Sequence, residues 1–174
     1  MTINKIYFDM DGVLANFDKG VRDLSGAEPI DQATVGPGED EEMWAGVRSV
    51  PNFYNKLEPM PGALNMFFTL YNKYGDKCEI LTGIPKPHRR VQNAKEDKIR
   101  WAHRLLSEDL VVNVVYKEEK KNFCTGPGDV LIDDYVVNIN SWIERGGTGI
   151  LFSGAEDALK KIEEMEARPA VLSR

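Results

Sequence analysis

The chain has 174 residues, of which 42% are hydrophobic and 29% are charged, so it can bury one good core as an ordinary globular protein does. Its net charge of −6, without a long Lys/Arg block, excludes binding of a nucleic-acid polymer through a basic surface. Two cysteines form neither a disulfide framework nor a metal-knuckle spacing, and no apolar run approaches membrane-spanning length. Because the first strand begins almost at Met1, there is no room for a signal peptide, and we expect a cytoplasmic protein. We also expect it to be a monomer or homodimer that does not bind membranes.

The first predicted strand, residues 4–9, runs into two carboxylates separated by one residue and followed by a glycine. Side chains alternate across a strand, so Asp9 and Asp11 point to the same side. Gly12 allows the backbone to turn sharply after them. Two acids this close repel each other unless a cation or a proton lies between them. A plain Asp-Gly turn is the commoner explanation of this motif, so the rest of the chain must decide between a turn and a site.

Residues 15–60 are predicted to form a small helical insertion. A first helix runs from Phe17 to about Gly26, and a second one opens in the acidic run 39–42. The acidic run favours a helix first turn that complements the helix dipole over a cation site. Three aromatic residues of the insertion are expected to be exposed: Trp44, Phe53 and Tyr54.

From residue 61 onward, strands rich in Val, Ile and Leu alternate with helices, which indicates a parallel sheet covered on both faces. The predicted strands are 78–83, 110–116, 129–134 and 149–152, and the predicted helices start at Pro61-Gly62 and span 88–107, 136–145 and 155–166. The helix 88–107 is expected to bury Ile99, Trp101, Ala102 and Leu105. The tail 167–174 is expected to be frayed. The sequence thus predicts an α/β core, residues 1–14 and 61–174, with the insertion 15–60.

Polar groups collect at the carboxyl ends of the predicted strands, where an open parallel sheet binds its ligands. These groups are Asp9 and Asp11, Thr82, and Asp133 and Asp134. The charged run 117–121 brings an ammonium near the same edge, although a solvated helix start explains it as well. Carboxylates, a hydroxyl and a lysine together make a site for a divalent cation and a phosphate. A ligand set of oxygens alone favours Mg²⁺ over Zn²⁺.

Three motifs, in this order, resemble those of the haloacid dehalogenase superfamily of phosphohydrolases: Asp9-Met10-Asp11-Gly12-Val13-Leu14, Glu79-Ile80-Leu81-Thr82 and Leu131-Ile132-Asp133-Asp134. The extension of the first motif to Phe17, the motif at Leu131–Asp134 and the later run from Asn138 to Phe152 are similar to the 5'(3')-deoxyribonucleotidase family within it. The resemblance implies a Rossmann-like core with a five-stranded parallel sheet and a small helical cap inserted after strand one. It also implies a Mg²⁺-dependent phosphomonoester hydrolase that forms an aspartyl-phosphate and acts on (deoxy)nucleoside monophosphates.

The family pattern and the spacing together imply the roles of the acids. Asp9 is the expected nucleophile, and Asp11 protonates the leaving alkoxide and later activates water. Mg²⁺ is expected on the Asp9 carboxylate, the backbone carbonyl of Asp11 and Asp134, because only one of two adjacent strand-end acids should ligate directly. Asp133 is then expected not to bind the ion directly but to orient the lysine.

Phosphate oxygens are expected on Thr82 and on the backbone amide of Gly83. Of the two lysines that could reach the phosphate, Lys121 is favoured over Lys120. Lys86 is a further candidate for contact with the substrate. The neighbouring cations His88, Arg89 and Arg90 are more simply a helix start outside the site.

Substrate choice is expected to rest with the cap. Phe17 matches an aromatic position that the nucleotidases use beside the base or the sugar. Trp44 is explained equally well by stacking on a base and by packing inside the insertion. Two alternatives stay open: a phosphatase for sugar phosphates or other small esters, and a non-enzymatic domain that binds phosphate or Mg²⁺, which would usually have lost Asp9 or Asp11.

Overall fold

One five-stranded sheet organises the described part of the chain, residues 1–168 of a computed structural model. Its strands are β1 Lys5–Phe8, β2 Cys78–Gly83, β3 Val112–Val115, β4 Asp129–Asp133 and β5 Thr148–Leu151. The α-helices are α1 Phe17–Gly20, α2 Glu41–Ser49, α3 Ala63–Tyr74, α4 Ala94–Leu105, α5 Val136–Glu144 and α6 Ala155–Ala167. Within residues 1–168, no helix has the length and apolar character that crossing a membrane requires. The expected fraying of the tail concerns mainly residues 169–174, which lie outside the described range.

The strand order is β3-β2-β1-β4-β5, and every pairing is parallel. Strand β1 lies at the centre, and its residues Ile6 and Phe8 are fully buried. The chain moves outward from β1 in both directions, so the switch in strand order lies beside it. Ligands bind at this position in open α/β sheets, beyond the carboxyl ends of the strands. The predicted α/β fold with a five-stranded parallel sheet is confirmed.

The predicted helix 88–107 is shorter than expected. Pro87–Arg89 form a 3-10 turn, and Arg90 and Asn93 adopt positive φ angles of 53° and 57°. Because a residue in the left-handed region cannot continue a right-handed helix, α4 begins only at Ala94. Its buried face also differs from the prediction: Asp97 and Lys98 are buried together with Trp101 and Ala102, whereas Ile99 and Leu105 are only half-buried.

Residues 15–60, the predicted insertion, contain α1, a π-helical turn Val21–Ser25 that ends at Gly26 with φ 72°, α2, and a 3-10 turn Phe53–Lys56. The acidic run opens α2, with Glu41 and Glu42 in its first turn, as predicted.

The expectation that the aromatic residues of the insertion are exposed was wrong. Trp44, Phe53 and Tyr54 are 5%, 2% and 1% exposed. Phe17 packs edge-on against Phe53 and stacks on Tyr54, with centroid distances of 5.6 and 6.2 Å. The three rings belong to the same buried cluster as Met43 and Leu57, so the burial of apolar area explains their low exposure.

Candidate active site

The carboxyl end of β1 carries Asp9 and Asp11, and the backbone turns away immediately after them. Asp9 is 6% exposed, whereas the side chain of Asp11 is 27% exposed. Gly12 has φ 79°, and the space where a Cβ would stand is taken by the carboxylate of Asp134. Glycine therefore meets two requirements here, the left-handed turn and the close approach of the acid from β4.

The two acids at the end of β4 face different surroundings. Asp133 is fully buried, and its Oδ1 accepts the backbone N–H of Tyr135 while its Oδ2 accepts from Lys120 and Asn138. Asp134 is exposed to the cavity described below, and no Lys or Arg among residues 1–168 pairs with it. The uncompensated acid of this pair is therefore Asp134.

Carboxylate oxygens of Asp9, Asp133 and Asp134 lie within 4.8 Å of one another. Burial, together with the negative charges of Asp9, Asp133 and Asp11, raises the pKa of Asp134 to about 8. Among residues 1–168, Lys120 is the cation that pairs with this trio, so the three carboxylates outnumber the positive charge beside them. Crowded carboxylate oxygens with this surplus are the donors that Mg²⁺ prefers, and the residues present fit such an ion.

The lysine beside Asp9 is Lys120. Its side chain is 3% exposed, and its Nζ lies 2.9 Å from Oδ1 of Asp9 and 2.7 Å from Oδ2 of Asp133. Burial alone would lower the pKa of Lys120, but the charges of Asp9 and Asp133 outweigh it and raise the pKa. Lys120 is therefore a fixed cation at this end of the sheet.

The structure does not place Lys121 at this site, so its position was predicted wrongly. Lys121 is exposed and does not line the cavity above the acids. Residues Lys117–Phe123 form a 3-10 helix, in which neighbouring side chains point about 120° apart. Only one of two adjacent lysines can face the sheet, and the sequence alone does not fix which.

A second buried ammonium, that of Lys98 in α4, was missed by the sequence analysis. It is fully buried, and its Nζ donates to Oδ2 of Asp11 at 2.7 Å, to Oγ1 of Thr82 at 3.1 Å and to the carbonyl of Gly83 at 2.7 Å. Lys98 lies three residues before the buried Trp101, so the helical period did contain a signal. A lysine next to apolar positions of a helix is nevertheless normally predicted to be exposed to solvent, because lysine is rarely buried.

Burial raises the pKa of Asp11, the Lys98 ammonium opposes this shift, and the charge of Asp9 adds to it. Asp11 therefore holds a proton more readily than an ordinary aspartate. Thr82 is also fully buried and lies beneath the cavity surface, where its hydroxyl oxygen accepts from Lys98. Gly83, by contrast, lines the cavity.

A cavity of about 540 Å³ opens above these groups. Its floor includes Asp9, Asp11, Gly83, Lys120 and Asp134, and its walls include Phe17, Trp44 and Tyr54 of the insertion with Lys86, His88 and Arg89 of the loop after β2. The cavity is lined by seven of the ten predicted site residues: Asp9, Asp11, Phe17, Trp44, Gly83, Lys86 and Asp134. Thr82 and Asp133 lie beneath its surface, and Lys121 lies outside it. His88 and Arg89 also line the cavity, although a helix start outside the site was the simpler expectation for them.

Two cations of the wall are held by aromatic rings. Lys86 pairs with Glu118 and lies 4.2 Å from the ring centroid of Tyr116. Arg89 donates to Oδ2 of Asp40 at 2.8 Å and lies 5.3 Å from the ring of Trp44. The indole N–H of Trp44 donates to the same carboxylate oxygen at 2.9 Å, so the loop after β2 is tied to α2.

The arrangement of the acids and lysines agrees with the protein family that the sequence matches. The sequence profile of the family described as "5' nucleotidase, deoxy (Pyrimidine), cytosolic type C protein" matches residues 2–164. The chain belongs to this family.

Relatives of this 5'-nucleotidase family with curated names lie at moderate identity. A protein of Vibrio phage KVP40 named as a 5'(3')-deoxyribonucleotidase is 31% identical over 134 residues, which cover 76% of this chain and 67% of the relative. The cytosolic 5'(3')-deoxyribonucleotidase of Homo sapiens is 26% identical over 148 residues, which cover 75% and 70%. The family resemblance found in the motifs is confirmed.

Solved structures agree on the fold. A hydrolase of the haloacid dehalogenase-like family from Streptococcus pneumoniae has a TM-score of 0.55 at 12% identity and covers 92% of this chain and 98% of its own. The L-2-haloacid dehalogenase of Xanthobacter autotrophicus has a TM-score of 0.53 at 15% identity, with 98% and 86% covered. This member of the 5'-nucleotidase family is therefore a hydrolase with the haloacid dehalogenase fold.

Proposed function

We propose that this protein is a Mg²⁺-dependent nucleotidase that hydrolyses (deoxy)nucleoside monophosphates through an aspartyl-phosphate on Asp9. The observation that carries the proposal is the meeting of Asp9, Asp11, Lys120 and Asp134 on the floor of one cavity with aromatic walls. Family membership gives the reaction class, and the positions of these side chains give each of them a chemical role.

Asp9 is the proposed nucleophile. Two donors, the backbone N–H of Met10 at 2.8 Å and Lys120 at 2.9 Å, hold its Oδ1. Its second oxygen accepts no hydrogen bond from residues 1–168, which leaves the carboxylate fixed but open toward the cavity. A carboxylate held in this way attacks phosphorus without a further loss of rotational freedom.

Asp11 is the proposed general acid and base. It lines the cavity beside Asp9, and its raised pKa, which burial causes against the opposing charge of Lys98, favours the protonated form that a leaving alkoxide needs. After the alkoxide departs with this proton, the carboxylate of Asp11 removes a proton from the water that attacks the aspartyl-phosphate.

The phosphate is proposed to bind between Lys120 and the end of β2. Two of the three N–H groups of Lys120 point to Asp9 and Asp133, which leaves the third for a phosphate oxygen. Gly83 offers its backbone amide at the cavity surface, with Thr82 below it. A Mg²⁺ ion held by Asp9, Asp134 and the backbone carbonyl of Asp11, with Asp133 behind Lys120, would neutralise charge on the transferring phosphoryl group.

The insertion, residues 15–60, is proposed to act as the cap that selects the nucleoside, over a core of residues 1–14 and 61–174. Its rings of Phe17 and Trp44 form part of the cavity wall, where a base can stack. Lys86, which also lines the cavity, is proposed to contact the substrate. A cavity of about 540 Å³ lies within the range of small-molecule sites, roughly 300–1,000 Å³.

A phosphate-release screen tests this function. Nucleoside and deoxynucleoside monophosphates are expected to give higher kcat/KM than sugar phosphates, and chelation with EDTA is expected to stop release until Mg²⁺ is restored. A preference for sugar phosphates would favour the alternative phosphatase function. Binding of phosphate without release from any ester would favour a regulatory domain.

Phe17→Leu is expected to lower kcat/KM for deoxynucleoside monophosphates by roughly 5- to 150-fold, because stacking of one base on one ring contributes about 1–3 kcal/mol. Hydrolysis of nitrophenyl phosphate, which has no nucleoside to stack, should change little. Steady-state kinetics on both substrates measures the difference.

The matched control is Phe53→Leu. Phe53 packs against Phe17 in the same cluster but does not line the cavity, so its loss should affect both substrates alike. If Phe17→Leu also lowers both rates in proportion, Phe17 only packs the insertion and the stacking role is wrong.

A further inference from the structure

We propose that Lys98 is a positioning residue that fixes the carboxylate of Asp11 for proton transfer to the leaving group; this rests on the proposed nucleotidase function. The charge of Lys98 is buried where α4 meets the end of β2.

The hydrogen bonds of Lys98 leave nothing for a substrate. An ammonium has three N–H donors, and the three acceptors of Lys98 are Oδ2 of Asp11, Oγ1 of Thr82 and the carbonyl of Gly83. Lys98 is 0% exposed and does not line the cavity. Lys120 differs on both points, since it lines the cavity and keeps one N–H free. Lys98 therefore acts through the residues that it holds.

Asp11 needs such a partner. The negative charges of Asp9 and Asp134 lie near enough to repel its own. Among residues 1–168, Lys98 is the cation within ion-pair distance of Asp11. A carboxyl group without this contact is free to rotate, and it would occupy the orientation that serves the leaving group for only part of the time.

The same contacts orient Thr82. An ammonium only donates, so the hydroxyl oxygen of Thr82 must accept from Lys98, and its proton must be donated elsewhere. No acceptor among the described residues takes that proton. Lys98 thus orients two groups, the carboxyl group of Asp11 at the floor of the cavity and the hydroxyl group of Thr82 beneath it.

The insertion covers this arrangement. The ring centroid of Tyr54 lies 4.5 Å from Nζ of Lys98. Further along the same face of α4, the indole N–H of Trp101 donates to the carbonyl of Leu57 at 2.7 Å, and Arg104 donates to the carbonyl of Asn55 at 2.6 Å. Residues three apart on a helix share a face, so α4 is docked along the end of the insertion. Exclusion of water by Tyr54 strengthens the pair between Lys98 and Asp11.

The test compares Lys98→Met with Lys95→Met, an exposed lysine on the same helix. For Lys98→Met, kcat/KM for a deoxynucleoside monophosphate should fall roughly 10- to 100-fold, because a placed general acid contributes about 10²–10⁴-fold. With nitrophenyl phosphate, whose leaving group needs no proton, the fall should be less than about 3-fold. Lys95→Met should match the unmodified protein. An equal fall on both substrates would overturn the proposal in favour of phosphate binding or packing.

A double-mutant cycle covers the case in which Lys98→Met does not fold. Asp11→Asn removes the charge that Lys98 balances, and removal of both partners of a buried pair is tolerated better than removal of one. In the Asp11→Asn background, Lys98→Met is expected to cause no further selective loss on the nucleotide. A full additional loss there would show that Lys98 does not act through Asp11.

The two proposals fail in different ways. If the unmodified protein releases phosphate from no ester, the proposed function fails. If the unmodified protein is active and Lys98→Met retains its preference for the nucleotide over nitrophenyl phosphate, only the positioning role fails.

Discussion

Asp9→Asn is expected to reduce phosphate release by at least about 10⁴-fold, because an amide cannot attack phosphorus as a carboxylate does. The fold should survive, since the amide oxygen of asparagine can still accept from Met10 and Lys120 as Oδ1 of Asp9 does. Steady-state phosphate release measures the loss of turnover. Thermal unfolding checks that the variant is intact.

Acid quenching of the protein after mixing with radiolabelled phosphate ester tests the intermediate directly. Label should remain on the unmodified protein and be absent from Asp9→Asn. The control Asp109→Asn changes an exposed aspartate away from the cavity and should keep both turnover and label. Label on Asp9→Asn, or turnover near that of the control, would contradict the role of Asp9.

The three central strands β1, β2 and β4 were predictable because most of their residues are buried, whichever face of the sheet they point to. Such strands appear as short, nearly continuous apolar runs, and Gly and Pro mark their ends. Gly75, for example, ends α3 with φ 56° just before β2. The start of α4 was not predictable, because Arg90 and Asn93 adopt left-handed conformations that their residue types only weakly favour.

The acids of the site were predictable for a related reason. Parallel strands deliver their carboxyl ends to one edge, so Asp9 and Asp133, far apart in sequence, must lie close together once the strands are paired. Their separation from the solvent follows from the buried strands that precede them.

The two buried lysines, Lys98 and Lys120, were harder to predict than the acids. A buried Lys98 requires acceptors from two segments of the chain, the turn after β1 and the end of β2, and these meet only in the folded protein. The choice between Lys120 and Lys121 depends on the phase of a 3-10 helix, for which the sequence gives no marker. Burial of the aromatic rings of the insertion likewise depends on how that segment folds upon itself.

Lys120→Met and Lys121→Met together test whether Lys120, and not Lys121, is the lysine of the active site. Lys120→Met should lower kcat/KM by roughly 10³-fold or more, because it removes the cation between Asp9 and Asp133 and a donor to the phosphate. It should also destabilise the fold by about 3–5 kcal/mol, because breaking a buried pair leaves the charge of Asp133 uncompensated. Lys121→Met changes an exposed side chain and should keep activity within about 2-fold and stability within about 0.5 kcal/mol.

The effects of the two variants on two substrates distinguish the role of Lys120 from that of Lys98. Lys120 is placed to act on the phosphoryl group, which every substrate carries, so Lys120→Met should slow nucleotide and nitrophenyl phosphate hydrolysis by similar factors. Lys98→Met should slow the nucleotide selectively, because only the alkoxide needs the proton of Asp11. Kinetics of both variants on both substrates, with thermal unfolding of each, measures this contrast. A large loss of activity in Lys121→Met with a small loss in Lys120→Met would favour Lys121 as the lysine that binds the phosphate. A loss of activity on the nucleotide alone in Lys120→Met would show that Lys120 acts on the leaving group and not on the phosphate.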